Sequence, residues 1–240
     1  MNYEVVAETI RADYREVTLQ YRRDDEIEVA TENHRRLCAL LKGICRSFPH
    51  PIRALDVGCG TGRYFHCLTN VSELIGVDLS EEMLRAAEVP VRSEEVPENL
   101  RLVCANVFLL DFPPASFHFI YSLGMFSNGC PVTAELCNRF HRWLAPGGKL
   151  FFDTVDMAGQ PFSYRFRRQV RKLIYPMLAR RWQSALDKRE AQRPFFDITR
   201  RELENILDQT EFETYRVESE LCESPLWSGR HLECVATKAG

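Results

Sequence analysis

Three glycines at alternate positions follow an apolar run in the stretch Asp56-Val-Gly58-Cys59-Gly60-Thr-Gly62. Glycine at that spacing lets a backbone turn tightly and approach a ligand with no side chain in the way. A nicotinamide-type turn would carry its third glycine or alanine at position 63, and Arg63 stands there. Twenty residues past Gly58, Asp78 ends the next apolar run. A carboxylate in that place can accept from both hydroxyls of a ribose, and packing gives no reason for a charge there. Loop and acid together predict a seat for a ribose-bearing ligand that is not a nicotinamide dinucleotide.

Other residues with reactive side chains are less pointed. Asp153 closes a later apolar run and is the candidate general base, although a cap or loop carboxylate is the commoner reading of such a residue. His231 reads as structural, and His66 and His141 fall on predicted helices away from the site. The nine cysteines are an odd number and include no C-x-x-C pair, and several sit in apolar runs. No disulfide framework, zinc site or other metal site is expected, and a reducing, cytoplasmic location follows.

The elements that must position these residues alternate. Two helices are predicted between Glu4 and Phe48, broken near Asp24-Asp25. The run Ile52–Val57 predicts a strand, the glycines a turn, and Arg63–Leu68 a helix. Leu74–Asp78, Arg101–Cys104, Phe117–Tyr121 and Lys149–Phe152 predict further strands. Between them come helices capped by Ser80 and spanning Pro131–Leu144. Such alternation implies right-handed crossovers and a parallel sheet covered on both faces. Thr199 with Glu202 forms a capping box, and two strands, Glu213–Glu218 and His231–Thr237, close the chain around a loop from Cys222 to Arg230.

From Asp156 to Arg201 the chain holds twelve Lys or Arg against four Asp or Glu, inside a protein whose net charge is −3. Tyr164, Phe166, Val170, Leu173, Ile174, Met177, Leu178, Trp182 and Leu186 recur there at helical spacing, with an interruption at Pro176. The arginines 165, 167, 168, 171, 180 and 181 fit a solvated face, an anionic acceptor or an anionic membrane surface. No apolar run reaches the length of a membrane span, and the first residues lack a secretory pattern.

Asp-x-Gly-x-Gly-x-Gly, then Gly-Val-Asp78-Leu-Ser, then Asn106-Val, then Leu-Ala-Pro-Gly-Gly148 before a strand, resembles the class I S-adenosylmethionine-dependent methyltransferases, in particular the small-molecule type. The likeness covers about Ile52 to Asp153 closely and the C-terminal elements loosely. It implies an α/β, Rossmann-like, doubly wound sheet of seven strands, mostly parallel with an antiparallel last strand. N-terminal helices and a helical insertion after the fifth strand are added to it. On this reading residues 1–240 form one domain: a helical lid over 1–48, a cofactor-binding core over 52–153, an insertion over 156–198 and a C-terminal helix and hairpin over 199–240.

The resemblance also implies site roles. Asp56 and the amides of Gly58, Cys59, Gly60 and Gly62 would hold the methionine end of S-adenosylmethionine, and Asp78 its ribose. Leu79 and Met83 would flank the adenine, and Asn106 and Val107 would meet its amino group. Asn106 departs from the Asp of many relatives, and His118 stands where relatives often carry Asp. Tyr121 and Ser122 would lie beside the methionine arm, and Tyr14 and Tyr21 would close over the cofactor or simply pack the lid. Met125 and Phe126 are placed on an acceptor wall or in the core, and Trp227 and Arg230 at the acceptor.

The expected reaction is in-line methyl transfer to a small-molecule acceptor, leaving S-adenosylhomocysteine. A base is needed only if the acceptor carries a proton. A nucleic-acid substrate is disfavoured, because Tyr121-Ser-Leu-Gly124 replaces the Asn-Pro-Pro-Tyr pattern of base-amino methylation and the isoelectric point is about 6.1. RNA or membrane-lipid methylation through the basic insertion, and a non-catalytic cofactor-binding relative, are the alternatives. Membrane contact is a lesser option, and the sequence is silent on oligomeric state.

Overall fold

The computed structural model describes residues 3–128, 130–166, 170 and 195–240, and on the first helix it describes side chains at residue 11 and from residue 17 onward. Helix α1 (Tyr3–Glu28) and helix α2 (Glu32–Arg46) precede the sheet. The break between them falls at residues 29–31, four residues beyond Asp25, where the Thr31 hydroxyl accepts the His34 amide and starts the second helix.

Strands β1 (Ile52–Val57), β2 (Val71–Asp78), β3 (Leu100–Cys104), β4 (Phe117–Ser122), β5 (Leu144–Val155), β6 (Thr214–Glu223) and β7 (Ser228–Thr237) form one sheet in the order β3-β2-β1-β4-β5-β7-β6. The first five pair in parallel, and β7 runs antiparallel to both β5 and β6. The expected seven-stranded, mostly parallel architecture is therefore the observed one. Helices α3 (Glu81–Ala87), α4 (Ala134–Trp143) and α5 (Arg200–Leu207) begin at Ser80, Thr133 and Thr199, whose hydroxyls accept the amides of Met83, Leu136 and Glu202. Strand residues alternate between two cores: Leu55, Val57, Ile120 and Phe152 face α4 and α5, while Ala54, Phe119, Tyr121 and Phe151 face α2.

Two expectations are corrected. Arg63–Leu68 is not an α-helix: only the 3-10 turn Phe65–Cys67 forms before β2 begins at Val71. Residues 58–70 connect β1 to β2, and the glycine turn consumes the first five, leaving too little chain for a helix that packs and returns. Leu37, Leu41, Ile44 and Cys45 of α2 cover that face of the sheet instead. The closing strands are also longer than expected, so Cys222 and Arg230 lie within the β6–β7 ladder and only residues 224–227 connect it.

His118 has a structural part. Its Nδ1 accepts the Arg53 amide at 3.1 Å, where the β1 and β4 ladders are irregular. The apolar stripe of the insertion from Leu173 to Leu186, and the arginines 167, 168, 171, 180 and 181, lie outside the described residues. Among the described residues no helix is long and apolar enough to cross a membrane.

Candidate active site

The carboxyl ends of β1, β2, β4 and β5 open into a cavity of about 700 Å³, closed from above by α1 and from one side by the β6–β7 hairpin. Gly58, Gly60 and Gly62 have φ of 75°, 53° and 78°, a region that side chains resist. At Gly58 a Cβ would also sit 2.7 Å from the Met125 Cβ, whereas at Gly60 it would meet nothing within 4 Å and would project into open space. The loop thus offers bare backbone to the cavity. Its course is held by the Gly58 and Cys59 amides, which both donate to the Val77 carbonyl.

Asp78 has a second role that the sequence did not suggest. Its Oδ2 accepts the Gly60 amide at 2.9 Å and its Oδ1 the Ser80 amide at 2.9 Å. The acid at this point therefore also serves the fold, since its two oxygens pin the loop to the start of α3. Each oxygen retains a lone pair after those bonds, so two ribose hydroxyls still fit.

Asp56 is buried beneath the loop, and burial pushes its carboxyl up to about 8 despite the opposing effect of the Tyr121 hydroxyl. That hydroxyl lies beside Asp56 without reaching full hydrogen-bond geometry to any partner among the described residues. An uncompensated acid and an unmatched hydroxyl in one buried corner suit a cationic group such as an ammonium.

The remaining expected residues divide. Leu79, Met83, Asn106, Val107, Cys59, Tyr21, Met125 and Trp227 line the cavity. Asn106 Oδ1 accepts the Phe108 amide at 3.0 Å, which folds the turn that carries it. Tyr121 and Ser122 do not line the cavity: Ser122 donates to the Val57 carbonyl at 2.7 Å inside the sheet, and Leu123 and Gly124 take the cavity position instead. Phe126 is core, packed edge-on against Phe152 at 5.0 Å. Arg230 is not among the lining residues, because its neighbours Gly229 and His231 alternate around it; its carbonyl accepts the Asp156 amide. Tyr14 lies on α1 and its side chain is outside the described residues.

Asp153 and His231 meet on one face of the β5–β7 ladder. Asp153 is opposite Glu233, so His231, two residues along, is its diagonal neighbour. His231 Nδ1 lies 2.8 Å from Asp153 Oδ2, while Asp153 Oδ1 accepts the Gly124 amide at 2.7 Å. Burial lowers the His231 pKa, but the hydrogen bond and charge of Asp153, with Glu233, more than reverse it. The Trp227 ring lies over the His231 ring at 5.1 Å. The acid singled out from the sequence is thus paired with an imidazole, and His231, read from the sequence as structural, lines the cavity beside it.

Helix α1 contributes groups that no motif announced. Asp25, 1% exposed, accepts from the Thr61 hydroxyl and from the Arg63 guanidinium, tying α1 to the glycine loop. Glu28 is buried with Oε1 unmatched among the described residues. From α2, Arg36 makes a two-pronged pair with Glu233. Seven acidic residues (Asp24, Asp25, Glu28, Asp56, Asp78, Asp153, Glu233) line the cavity; Asp56 holds its proton, Arg63 pairs with Asp25 and Arg36 with Glu233, and the remaining acids still outnumber the bases, which makes the field favourable to a cation. The spacing of an amphipathic helix would have shown Asp25 and Glu28 one turn apart, but not which way that face points.

The fold also brings His34, Cys38, His66 and Cys67 together, with the Cys38 and Cys67 sulfurs at bonding distance where no disulfide was expected. The expectation rested on spacing along the chain, and these donors come from two elements.

Residues 54–148 match a family described as methyltransferase domain. The chain is 32% identical over 121 residues to a demethylmenaquinone methyltransferase of Geobacillus kaustophilus, a match covering 48% of this chain and 49% of that protein. It is 31% identical over 105 residues to a ubiquinone biosynthesis O-methyltransferase of Methylococcus capsulatus, covering 43% and 44%. The chain thus matches about half the length of these curated relatives. Its fold is similar to that of Burkholderia thailandensis 1,6-didemethyltoxoflavin-N1-methyltransferase, solved with 1,6-didemethyltoxoflavin and S-adenosylhomocysteine (TM-score 0.62, 20% identity, 98% of this chain and 89% of that one).

Proposed function

We propose, from the premise that residues 54–148 are a methyltransferase domain on a class I methyltransferase fold, that this chain transfers the methyl group of S-adenosylmethionine to a small acceptor with an apolar body and an ionisable atom. The observation that carries this reading is that one cavity joins the glycine loop and Asp78 to the Asp153–His231 pair.

Bound S-adenosylmethionine supplies an activated methyl group on a sulfonium. Asp78 accepts from the ribose hydroxyls, Asp56 with Tyr121 behind it faces the amino end, and Leu79, Met83, Asn106 and Val107 surround the adenine. On the acceptor side Leu123, Met125, Phe195, Leu226 and Trp227 offer apolar surface to the cavity, against which a bound acceptor would displace water. Holding the acceptor in line in this way is worth on the order of 7–11 kcal/mol. His231 takes the acceptor's proton at Nε2, because Nδ1 is committed to Asp153.

Relatives named for quinone-type and heteroaromatic acceptors support an acceptor of that chemical class. The acid-lined cavity disfavours an anionic acceptor, one of the readings of the basic stretch. Of the two segments expected to cover the site, Tyr21, Asp24, Asp25 and Glu28 of α1 and Gln160 and Phe195 of the later stretch line the cavity. Calorimetry with S-adenosylmethionine and S-adenosylhomocysteine tests the cofactor half, and transfer of labelled methyl to a panel of phenols, hydroquinones and heteroaromatic amines tests the acceptor half. Absence of binding to both ligands at high micromolar concentration sinks the reading.

A further inference from the structure

We propose that His34, Cys38, His66 and Cys67 form a binding site for a zinc-class divalent metal ion that fastens α2 to the turn following the glycine loop. His34 and Cys38 are one helical turn apart on the buried side of α2, and His66 and Cys67 are consecutive in the 3-10 turn Phe65–Cys67. All four donor atoms lie within 4.8 Å of one another.

Four of the donor-to-donor distances are those of a coordination shell. The two Nε2 atoms are 3.4 Å apart, His34 Nε2 is 3.3 Å from the Cys38 sulfur, and His66 Nε2 is 3.8 Å from that sulfur and 3.4 Å from the Cys67 sulfur. Zinc bonds of ~2.3 Å to sulfur and ~2.0–2.1 Å to nitrogen, set tetrahedrally, give ligand-to-ligand edges of about 3.3–3.8 Å. Packing holds the rings in this pose: His34 stacks on Tyr64 at 5.1 Å and lies nearly parallel to His66 at 5.3 Å.

The two sulfurs are at bonding distance, so a Cys38–Cys67 disulfide and the metal site compete for the same atoms. A disulfide gives no reason for two imidazoles to aim their Nε2 atoms at the sulfurs and at each other. A metal ion does, and two thiolates balance its charge once each thiol has released its proton. Four protein ligands leave no open position, and none of the four lines the large cavity, so the ion is structural. It stands where the β1–β2 crossover has a single 3-10 turn, and it supplies the link that a packed crossover helix would otherwise provide.

The test uses the whole chain, produced in zinc-supplemented medium and purified under a phosphine reductant that keeps both cysteines as thiols. One equivalent of zinc per chain is expected by elemental mass spectrometry after dialysis. Cobalt(II) exchanged into the site should show intense tetrahedral d–d bands and sulfur-to-cobalt charge transfer. Chelation should expose two further thiols to titration and lower Tm by about 5 °C or more. Cys38→Ser should weaken the charge-transfer band with far-ultraviolet circular dichroism unchanged, and if that variant does not fold, the stoichiometry and cobalt spectrum of the native chain decide alone. Reduced native chain that retains no zinc and gives only the pale spectrum of six-coordinate cobalt overturns the proposal. So does a chain that keeps the Cys38–Cys67 disulfide and takes up no metal after its reduction.

Discussion

Asp153 Oδ2 lies 2.8 Å from His231 Nδ1, and the same carboxylate is fixed through its other oxygen by the Gly124 amide at 2.7 Å. The imidazole is thereby given one tautomer and one orientation by a group that cannot swing away. Backbone just beyond β4 thus sets the acid, the acid sets the histidine, and the histidine faces the cavity beside Trp227.

If His231 is the base, His231→Ala lowers kcat by about 10²–10⁴-fold with an acceptor that must lose a proton. S-adenosylhomocysteine affinity should not change. Asp153 raises the His231 pKa, so activity falls as pH drops through a value above 6.5. In Asp153→Asn that acidic limb moves to lower pH, and a pH–rate profile with an unmoved limb removes the pair from the mechanism.

Asp78→Ala removes acceptors of two backbone amides as well as those offered to the ribose. Hydrogen bonds to charged groups contribute ~1.5–3 kcal/mol each, so the dissociation constant for S-adenosylhomocysteine should rise at least about 100-fold. Calorimetry reads this directly, and Tm should fall as well because Gly60 and Ser80 lose their partner.

Asp56 keeps a proton up to about pH 8 when folded, against an ordinary carboxyl value of 3.8. Its folded pKa is raised, so its contribution to stability is complete below the ordinary value and is lost as pH rises towards 8. An ammonium group bound beside it favours the carboxylate, so ligand binding at pH 7 should release a proton. Binding enthalpies measured in buffers of different ionisation enthalpy should differ accordingly, and Asp56→Asn should abolish that difference.

The lid is predicted to depend on Asp25. Asp25→Ala leaves Thr61 and the largely covered Arg63 guanidinium without their partner, at a cost of about 1–3 kcal/mol. Thermal unfolding and amide exchange along α1 measure the loss, and unchanged exchange would mean that other contacts hold the helix.

Two neighbouring aromatic positions should separate by readout. Phe126→Ala empties a core site and costs about 3–5 kcal/mol of stability. Trp227→Ala, at a residue 37% exposed on the cavity rim, should leave Tm in place and raise KM for the acceptor.

What the sequence by itself determined was what depends on neighbours along the chain. Strand alternation, the caps at Ser80 and Thr199, the glycine turn and Asp78 after the second strand are local patterns, and each stands where its pattern puts it. Only the tertiary structure decided which distant residues share a surface. Asp153 reaches His231 because β7 is inserted antiparallel beside β5, Arg36 reaches Glu233 across the same insertion, and Asp25 reaches Arg63 because α1 runs over the loop. The same holds for His34 and Cys38 against His66 and Cys67: a short connection leaves a 3-10 turn where the local pattern favoured a helix, and α2 moves into the uncovered face. Spacing along a chain encodes periodicity. Convergence in space depends on how elements cross, and that is set by the packing of the whole sheet.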